Sequence, residues 1–282
     1  MIAQDWKDYL VLTTGEGQKV EKWGDIILSR PDPQVIWKNC GVSISPHAIY
    51  HRSSTGGGEW EYLKPMPDKW TVGWKNLKFI VKPMGFKHTG LFPEQAVNWQ
   101  IMIDLIKNAN RKINVLNLFA YTGAATVACS YAGANVCHVD SAKNMVERAK
   151  ENVALNKLSN MPIRYIVDDC AKFVKREINR GVKYDAIIMD PPSYGRGANG
   201  EIWKLEDNLY DFVNLCCQVL SDKPLFVLIN SYTTGLQPMV LENILKLNLQ
   251  KYKGNITAYE VGLPTQEGIN LPCGASGLFV GV

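Results

Sequence analysis

Seven cysteines are spread over 282 residues without a C-x-x-C pair and without a Cys/His cluster at metal-ligand spacing. No metal site is expected. The odd count and the missing pair pattern also argue against a secreted disulfide framework. Cys129, Cys137 and Cys216 fall at apolar positions of expected helices and strands, where a thiol acts as a small hydrophobe in a reducing compartment. Met1-Ile2-Ala3-Gln4-Asp5-Trp6-Lys7 lacks the apolar core of an export signal, and no run approaches membrane-spanning length. A cytoplasmic, unexported chain is expected. Histidine is scarce: His47, His51, His88 and His138 form no catalytic set, and His138, inside an apolar run, reads as a hydrogen-bonded core residue. Internal repeats and low-complexity tracts are absent. The net charge of +4 is compatible with a polyanionic partner but falls short of the dense basic stripe that marks one.

What is present suits a folded enzyme. At 46% apolar and 21% charged residues the chain can bury a sizeable core. Residues 1–85 are rich in Trp, Pro and Gly, with short β-type runs such as Tyr9-Leu10-Val11-Leu12 and Asp25-Ile26-Ile27-Leu28 divided by turn signals. They read as a small β-rich subdomain whose tryptophans either fill a core or offer a stacking platform, the core reading being the commoner use of large aromatics. From Pro93 the period changes from two to about 3.6. Val97, Ile101, Leu105 and Ile106 mark one helix, Ala142, Met145, Val146, Ala149 and Val153 a second, and Leu205, Leu209, Phe212, Val213 and Cys216 a later one. Strands are expected near 114–118, 135–139, 163–167, 184–189, 225–230, 256–261 and 278–282. This alternation over residues 86–282 predicts a doubly wound α/β domain with a seven-stranded Rossmann-like sheet.

Polar residues recur where these strands end. Asp140 closes Val136-Cys137-His138-Val139, Asp168-Asp169 follow Tyr165-Ile166-Val167, and Asp190-Pro191-Pro192 follow Tyr184-Asp185-Ala186-Ile187-Ile188-Met189. Ligands of open α/β sheets bind outside the carboxyl ends of the strands, so these acids converge on one crevice. A dinucleotide would need several glycines in the first loop for its pyrophosphate. Phe119-Ala120-Tyr121-Thr122-Gly123 supplies one, and two aromatic side chains block the approach. An unphosphorylated nucleoside fits better, and S-adenosylmethionine is the common one.

Three segments carry a family likeness: Phe86-Lys87-His88-Thr89-Gly90-Leu91-Phe92-Pro93-Glu94-Gln95, Leu116-Asn117-Leu118-Phe119-Ala120-Tyr121-Thr122-Gly123 and Asp190-Pro191-Pro192-Ser193-Tyr194-Gly195. In this order the chain resembles the class I S-adenosylmethionine-dependent methyltransferases, in the branch of the bacterial ribosomal RNA large-subunit base methyltransferases. The resemblance implies that Phe119, Tyr121 and Gly123 lie beneath the methionine and ribose, that Asp140 with Ser141 takes the ribose hydroxyls, and that Asp169 with the Cys170 backbone takes the adenine edge. Asp168 competes with Asp169, and the family pattern of an acid before a small residue favours the second. It further implies that Phe92 and Gln95 lie over the cofactor, with Lys87 or Thr89 near its carboxylate, and that the last strand runs antiparallel. Asn117 stands where the family usually has an acid and can still accept from an amino group, without charge assistance.

On the target side, Asp190, Pro191, Pro192 and Tyr194 resemble a motif that holds a planar group by an N–H acceptor and a stacked ring. Ser193, Arg196, Lys204 and Tyr232 are the accompanying substrate-side candidates, and Gly195-Arg196-Gly197-Ala198-Asn199-Gly200 has the composition of a mobile lid. No cysteine occurs in Leu228-Ile229-Asn230-Ser231-Tyr232, where cytosine-C5 members keep their nucleophile. Plainer roles stand beside these: strand-end acids serve as helix N-caps, paired prolines end strands, Glu94 favours a helix dipole, and exposed cations are solvated. The expected activity is methyl transfer to a nucleobase, with ribosomal RNA as partner. The alternatives are a small-molecule or protein side-chain methyltransferase and a non-catalytic binder of the cofactor or RNA.

Overall fold

The computed structural model describes residues 1–38, 44–53, 57–196 and 202–282, Arg196 through its backbone alone. The chain forms two compact units, residues 1–97 with 261–273 and residues 98–260 with 274–282.

In the first unit β1 (Tyr9–Gly15), β2 (Gln18–Trp23), β3 (Ile26–Pro31), β4 (Ala48–Arg52) and β5 (Gly58–Tyr62) form a sheet in that order, and β6 (Trp70–Trp74) pairs with β7 (Leu77–Val81) as a separate hairpin. Glu16 and Gly17 both have positive φ, 53° and 74°, which gives the two-residue turn between β1 and β2 a twist that matches its strands. The tryptophans are tied inward. Their indole N–H groups donate from Trp6 to Pro93 O, Trp37 to Thr14 Oγ1, Trp60 to Met84 O, Trp70 to Trp23 O and Trp74 to Gln4 O, at 2.7–3.1 Å. Trp23 and Trp74 are buried. This is the core use of large aromatics; the five donating indoles have their polar edges satisfied locally, whereas the Trp23 Nε1 is buried without a hydrogen-bond partner among the described residues. Glu21 lies fully buried between the Arg30 guanidinium, at 2.7 and 2.8 Å, and the Tyr9 hydroxyl at 2.7 Å. Burial works to raise its carboxyl, but Arg30 and Lys19 outweigh burial and hold it down at about 2.

A short 3₁₀ turn, Pro93–Gln95, leads into α1 (Ala96–Asn108), whose residues from Asn98 belong to the second unit. Its buried stripe is Trp99, Met102, Ile103 and Ile106, while Val97, Ile101 and Leu105 are only half-buried. The sequence pattern had the helix right and its facing wrong, because Trp99 and Met102 carry more apolar surface than the residues that set the apparent period.

The second unit continues with β8 (Asn114–Leu118), α2 (Ala124–Tyr131), β9 (Asn135–Asp140), α3 (Lys143–Leu155), β10 (Ile163–Val167), α4 (Cys170–Asn179) and β11 (Ala186–Met189). A hairpin of β12 (Tyr194–Arg196) and β13 (Ile202–Lys204) follows, then α5 (Leu205–Cys217), β14 (Phe226–Ser231), α6 (Pro238–Asn248), β15 (Gly254–Pro264) and β16 (Asn270–Gly281), the last two running on into the first unit. The seven-stranded sheet has the order β10-β9-β8-β11-β14-β16-β15. β8, β9, β10, β11 and β14 are parallel, and β16 is antiparallel to β14, pairing Phe226 with Val280 through Ser231 with Ala275. This is the doubly wound sheet expected from the strand and helix alternation. Leu116, Leu118, Val139, Ile187, Met189, Val227 and Ile229 are buried within it, as near-continuous apolar strands covered on both faces must be. Winding reverses between β8 and β11, so the loops after these two strands diverge and leave a crevice at the carboxyl edge.

Candidate functional site

The loop after β8 has an unusual backbone. Phe119, Tyr121 and Gly123 all lie in the left-handed region, at φ 54°, 51° and 81°. Two non-glycine residues there cost free energy that the surroundings must repay, and such strain concentrates at functional sites. The repayment is visible. Phe119 N–H donates to Cys170 Sγ at 3.3 Å, Ala120 N–H to Val139 O at 3.0 Å, and Tyr121 N–H to Asp140 Oδ2 at 2.8 Å. Gly123 precedes the first turn of α2, and a Cβ built there would stand 2.7 Å from Ala149 Cβ, so α3 can press close only because this residue has no side chain.

Asp140 closes β9 and spans two loops: Oδ2 takes the Tyr121 N–H and Oδ1 takes the Ala142 N–H at 2.9 Å. Burial raises its carboxyl above the ordinary carboxylate value, against the opposing pull of the two N–H groups. Ser141 beside it is exposed. At the end of β10, Asp168 Oδ1 accepts from the Asp169 N–H, and its other oxygen pairs with Arg176. Asp169 is the N-cap of α4, accepting from Lys172 N–H at 2.8 Å through Oδ1. Both acids therefore have structural work. Cys170 is buried, and burial pushes its thiol well up, so its sulfur meets the loop as a neutral acceptor.

Beneath the loop runs a buried polar chain. Asn117 Nδ2 donates to Thr126 Oγ1 at 3.0 Å, and Thr126 Oγ1 lies 2.9 Å from His138 Nδ1. Burial pushes His138 down to about 3, so its ring is neutral, and Nδ1 shares this hydrogen bond with the Thr126 hydroxyl. The expected hydrogen-bonded core histidine is there, and its partners are Asn117's own neighbours.

On the far side of the reversal, Asp190 N–H reaches Leu118 O at 3.4 Å. Pro191 is buried; Pro192 and Ser193 are exposed, and the Tyr194 ring is 52% exposed. Tyr194 stands opposite Lys204 in the β12/β13 hairpin. Ser193 Oγ accepts from Thr233 Oγ1 at 2.7 Å, beside Tyr232, which follows β14 and packs close to Gly274. The Pro192 carbonyl accepts the Trp203 indole N–H at 2.6 Å. Phe119, Trp203 and Phe212 form a three-ring cluster with centroids 5.4–5.6 Å apart. Residues Gly197 to Gly200 and the Arg196 side chain lie outside the described residues.

Asn117, Phe119, Tyr121, Gly123, Asp140, Ser141, Asp169, Cys170, Asp190, Pro191, Pro192, Ser193 and Tyr194 thus all follow or flank the ends of β8 to β11, with Lys204 and Tyr232 at the ends of β13 and β14. Phe92 and Gln95 belong to the first unit; Gln95 is buried and donates its N–H to Phe92 O at 3.1 Å. Among the residues not singled out from sequence, Trp203 and Thr126 matter most. Trp203 carried no signal beyond lying near the Asp-Pro-Pro segment, and Thr126 is a single polar residue between Ala124-Ala125 and Val127-Ala128. A cavity of about 430 Å³ lined by Asn114, Val136, Pro162, Arg164 and Tyr184 opens at the amino-terminal edge of the same strands. That edge has neither the strained loop nor the row of carboxylates. Among the described residues no group of His, Cys, Asp or Glu can hold a metal ion, and no helix is long and apolar enough to cross a membrane.

Comparison with known proteins bears on this geometry. A family model described as S-adenosylmethionine-dependent methyltransferase matches residues 40–233. The crystal structure of the SAM-dependent methyltransferase from Agrobacterium tumefaciens superposes with a TM-score of 0.92 at 30% identity, covering 99% of this chain and 92% of that one. Curated relatives named ribosomal RNA large subunit methyltransferase K/L include that of Shewanella baltica, 30% identical over 257 residues (86% of this chain and 33% of the relative). Another, from Shewanella frigidimarina, is 38% identical over 125 residues (44% of this chain and 17% of the relative). The chain therefore spans a third or less of the length of these two curated relatives. The family model covers most of the chain and the Agrobacterium protein matches it almost end to end: the chain belongs to the S-adenosylmethionine-dependent methyltransferases, enzymes that use S-adenosylmethionine as cofactor.

Proposed function

We propose that the chain methylates a nucleobase of ribosomal RNA in the cytoplasm, binding its cofactor over the loop after β8. The residues present fit that cofactor. The single glycine of the loop after β8, Gly123, is where a Cβ would meet Ala149, so it serves helix packing and the loop offers no bare backbone cradle for a pyrophosphate, while a part-buried carboxylate at the end of β9 suits ribose hydroxyls. Asp140 and Ser141 would take the ribose, Phe119, Tyr121 and Gly123 the underside of the methionine and ribose, and Asp169 with the Cys170 backbone the adenine edge. The Asn117 side-chain oxygen would accept from an amino group. Phe92 and Gln95 are assigned to the cofactor from the family pattern of their segment. When bound, the cofactor supplies a methyl group already activated on a sulfonium.

The protein's remaining task is to hold a planar acceptor in line and keep water out. Asp190, exiting β11, would accept a target N–H. The exposed Tyr194 ring would stack on the target face, and Ser193, Lys204 and Tyr232 would border it. The observation that carries the nucleobase reading is this acidic, ring-flanked motif one loop away from the cofactor loop. The names of the curated relatives support ribosomal RNA. Incubation with methyl-labelled cofactor, undermodified ribosomal RNA and cell extract tests it: label in RNA is expected, and label confined to protein or small molecules would overturn the RNA assignment.

A further inference from the structure

We propose that Trp203 is a positioning residue of the transfer reaction, linking the cofactor loop to the target motif. The inference rests on the assignment of the Asp190 segment to the target and extends it to a residue with no motif of its own. Pro191 and Pro192 have no N–H, and a Pro-Pro pair joins no sheet ladder, so the motif needs other restraints. Three described hydrogen bonds hold Pro192 and Ser193 at its far end. Trp203 Nε1 donates to Pro192 O at 2.6 Å, Leu205 N–H donates to Ser193 O at 3.0 Å, and Thr233 Oγ1 donates to Ser193 Oγ at 2.7 Å. The first two come from the same short stretch, the end of β13 and the start of α5.

The other face of the same indole is engaged at the cofactor loop. Its ring lies 5.6 Å from Phe119, tilted by 49°, and 5.6 Å edge-on to Phe212, which is buried on α5. Phe119 is one of the two non-glycine residues of that loop held at positive φ. Its backbone conformation is costly, so the ring contacts that keep it there also set where the loop stands. Trp203 therefore restrains the Pro192 peptide with its N–H and Phe119 with its ring. A half-buried tryptophan serving the core alone would need only the ring.

The two functions separate by substitution. Trp203→Phe keeps the ring and deletes the donor, whereas Trp203→Ala deletes both. Titration with S-adenosylhomocysteine, followed by tryptophan emission and calorimetry, reads the loop half without any target. The wild-type chain should show an emission change on binding that W203F loses, with W203F affinity within about twofold and W203A affinity reduced on the order of tenfold. Methyl transfer from labelled cofactor to RNA from cells lacking the protein reads the other half. W203F should lose on the order of tenfold in kcat, the size of one net hydrogen bond, with little change in KM for the cofactor. An identical emission change in W203F would overturn the link while leaving the methyltransferase assignment intact. So would affinity and kcat of W203F and W203A falling in parallel with the folded fraction measured by circular dichroism.

Discussion

Replacing Asp140 by Asn probes the loop and the cofactor together, because the wild-type carboxylate already accepts two backbone N–H groups, Tyr121 at 2.8 Å and Ala142 at 2.9 Å. An amide has one oxygen. Whichever N–H keeps it, the other faces an NH₂ group, so one charge-assisted bond becomes a donor–donor contact. Bonds to a charged group contribute about 1.5–3 kcal/mol each. The substitution should therefore weaken cofactor binding by about ten- to a hundredfold, both through the displaced Tyr121 loop and through the lost acceptor for a ribose hydroxyl. Calorimetric titration with S-adenosylhomocysteine measures it. Acid should act in the same direction. Burial raises the carboxyl, so affinity should fall on acidification at a pH above the ordinary carboxylate value, and D140N should lose that dependence. An unchanged dissociation constant in D140N would refute the assignment of this acid and the reasoning about the loop.

Asp190→Ala should reduce transfer below detection while S-adenosylhomocysteine still binds within a few-fold, as separate transfer and binding assays would show; unchanged turnover would remove Asp190 from the target site. Gly123→Ala should destabilise the chain by about 2–4 kcal/mol in denaturant titration, from a left-handed φ of 81° and a Cβ 2.7 Å from Ala149, less a small gain from a stiffer unfolded chain. His138 sits at about 3 in the folded chain against 6.5 in the unfolded one, so between those values the unfolded state binds the extra proton. Stability should thus decline as pH falls from about 6.5 towards 3, by up to about 1.4 kcal/mol per unit, and His138→Gln should flatten that limb of the pH–stability profile.

The α/β domain was legible because strand-length apolar runs alternate with 3.6-period segments, and because a strand buried on both faces leaves few other readings for Val136-Cys137-His138-Val139 or Ala186-Ile187-Ile188-Met189. The acids were legible for the same reason: a polar residue ending such a run has to lie at the sheet edge. What periodicity cannot carry is the partner of a side chain. Asp168 and Asp169 looked alike in sequence, and only the fold separates an acid paired with Arg176 from one capping α4. The positive φ of Phe119 and Tyr121 has no sequence signature, since glycine is the residue that normally announces it. The facing of α1 was misjudged because counting apolar positions ignores their size, and Trp99 with Met102 outweighs Val97 with Ile101. Trp203 acquired its role only when β13 brought it back to Pro192, eleven residues away along the chain.

The central claim is that an S-adenosyl nucleoside binds at the carboxyl edge, on the strained loop and Asp140. A crystal structure of the full chain with S-adenosylhomocysteine tests it directly. The account predicts ribose hydroxyls on the Asp140 carboxylate and the adenine beside Asp169 and Cys170. The ligand seated instead in the cavity at the amino-terminal edge, against Asn114 and Arg164, would contradict it.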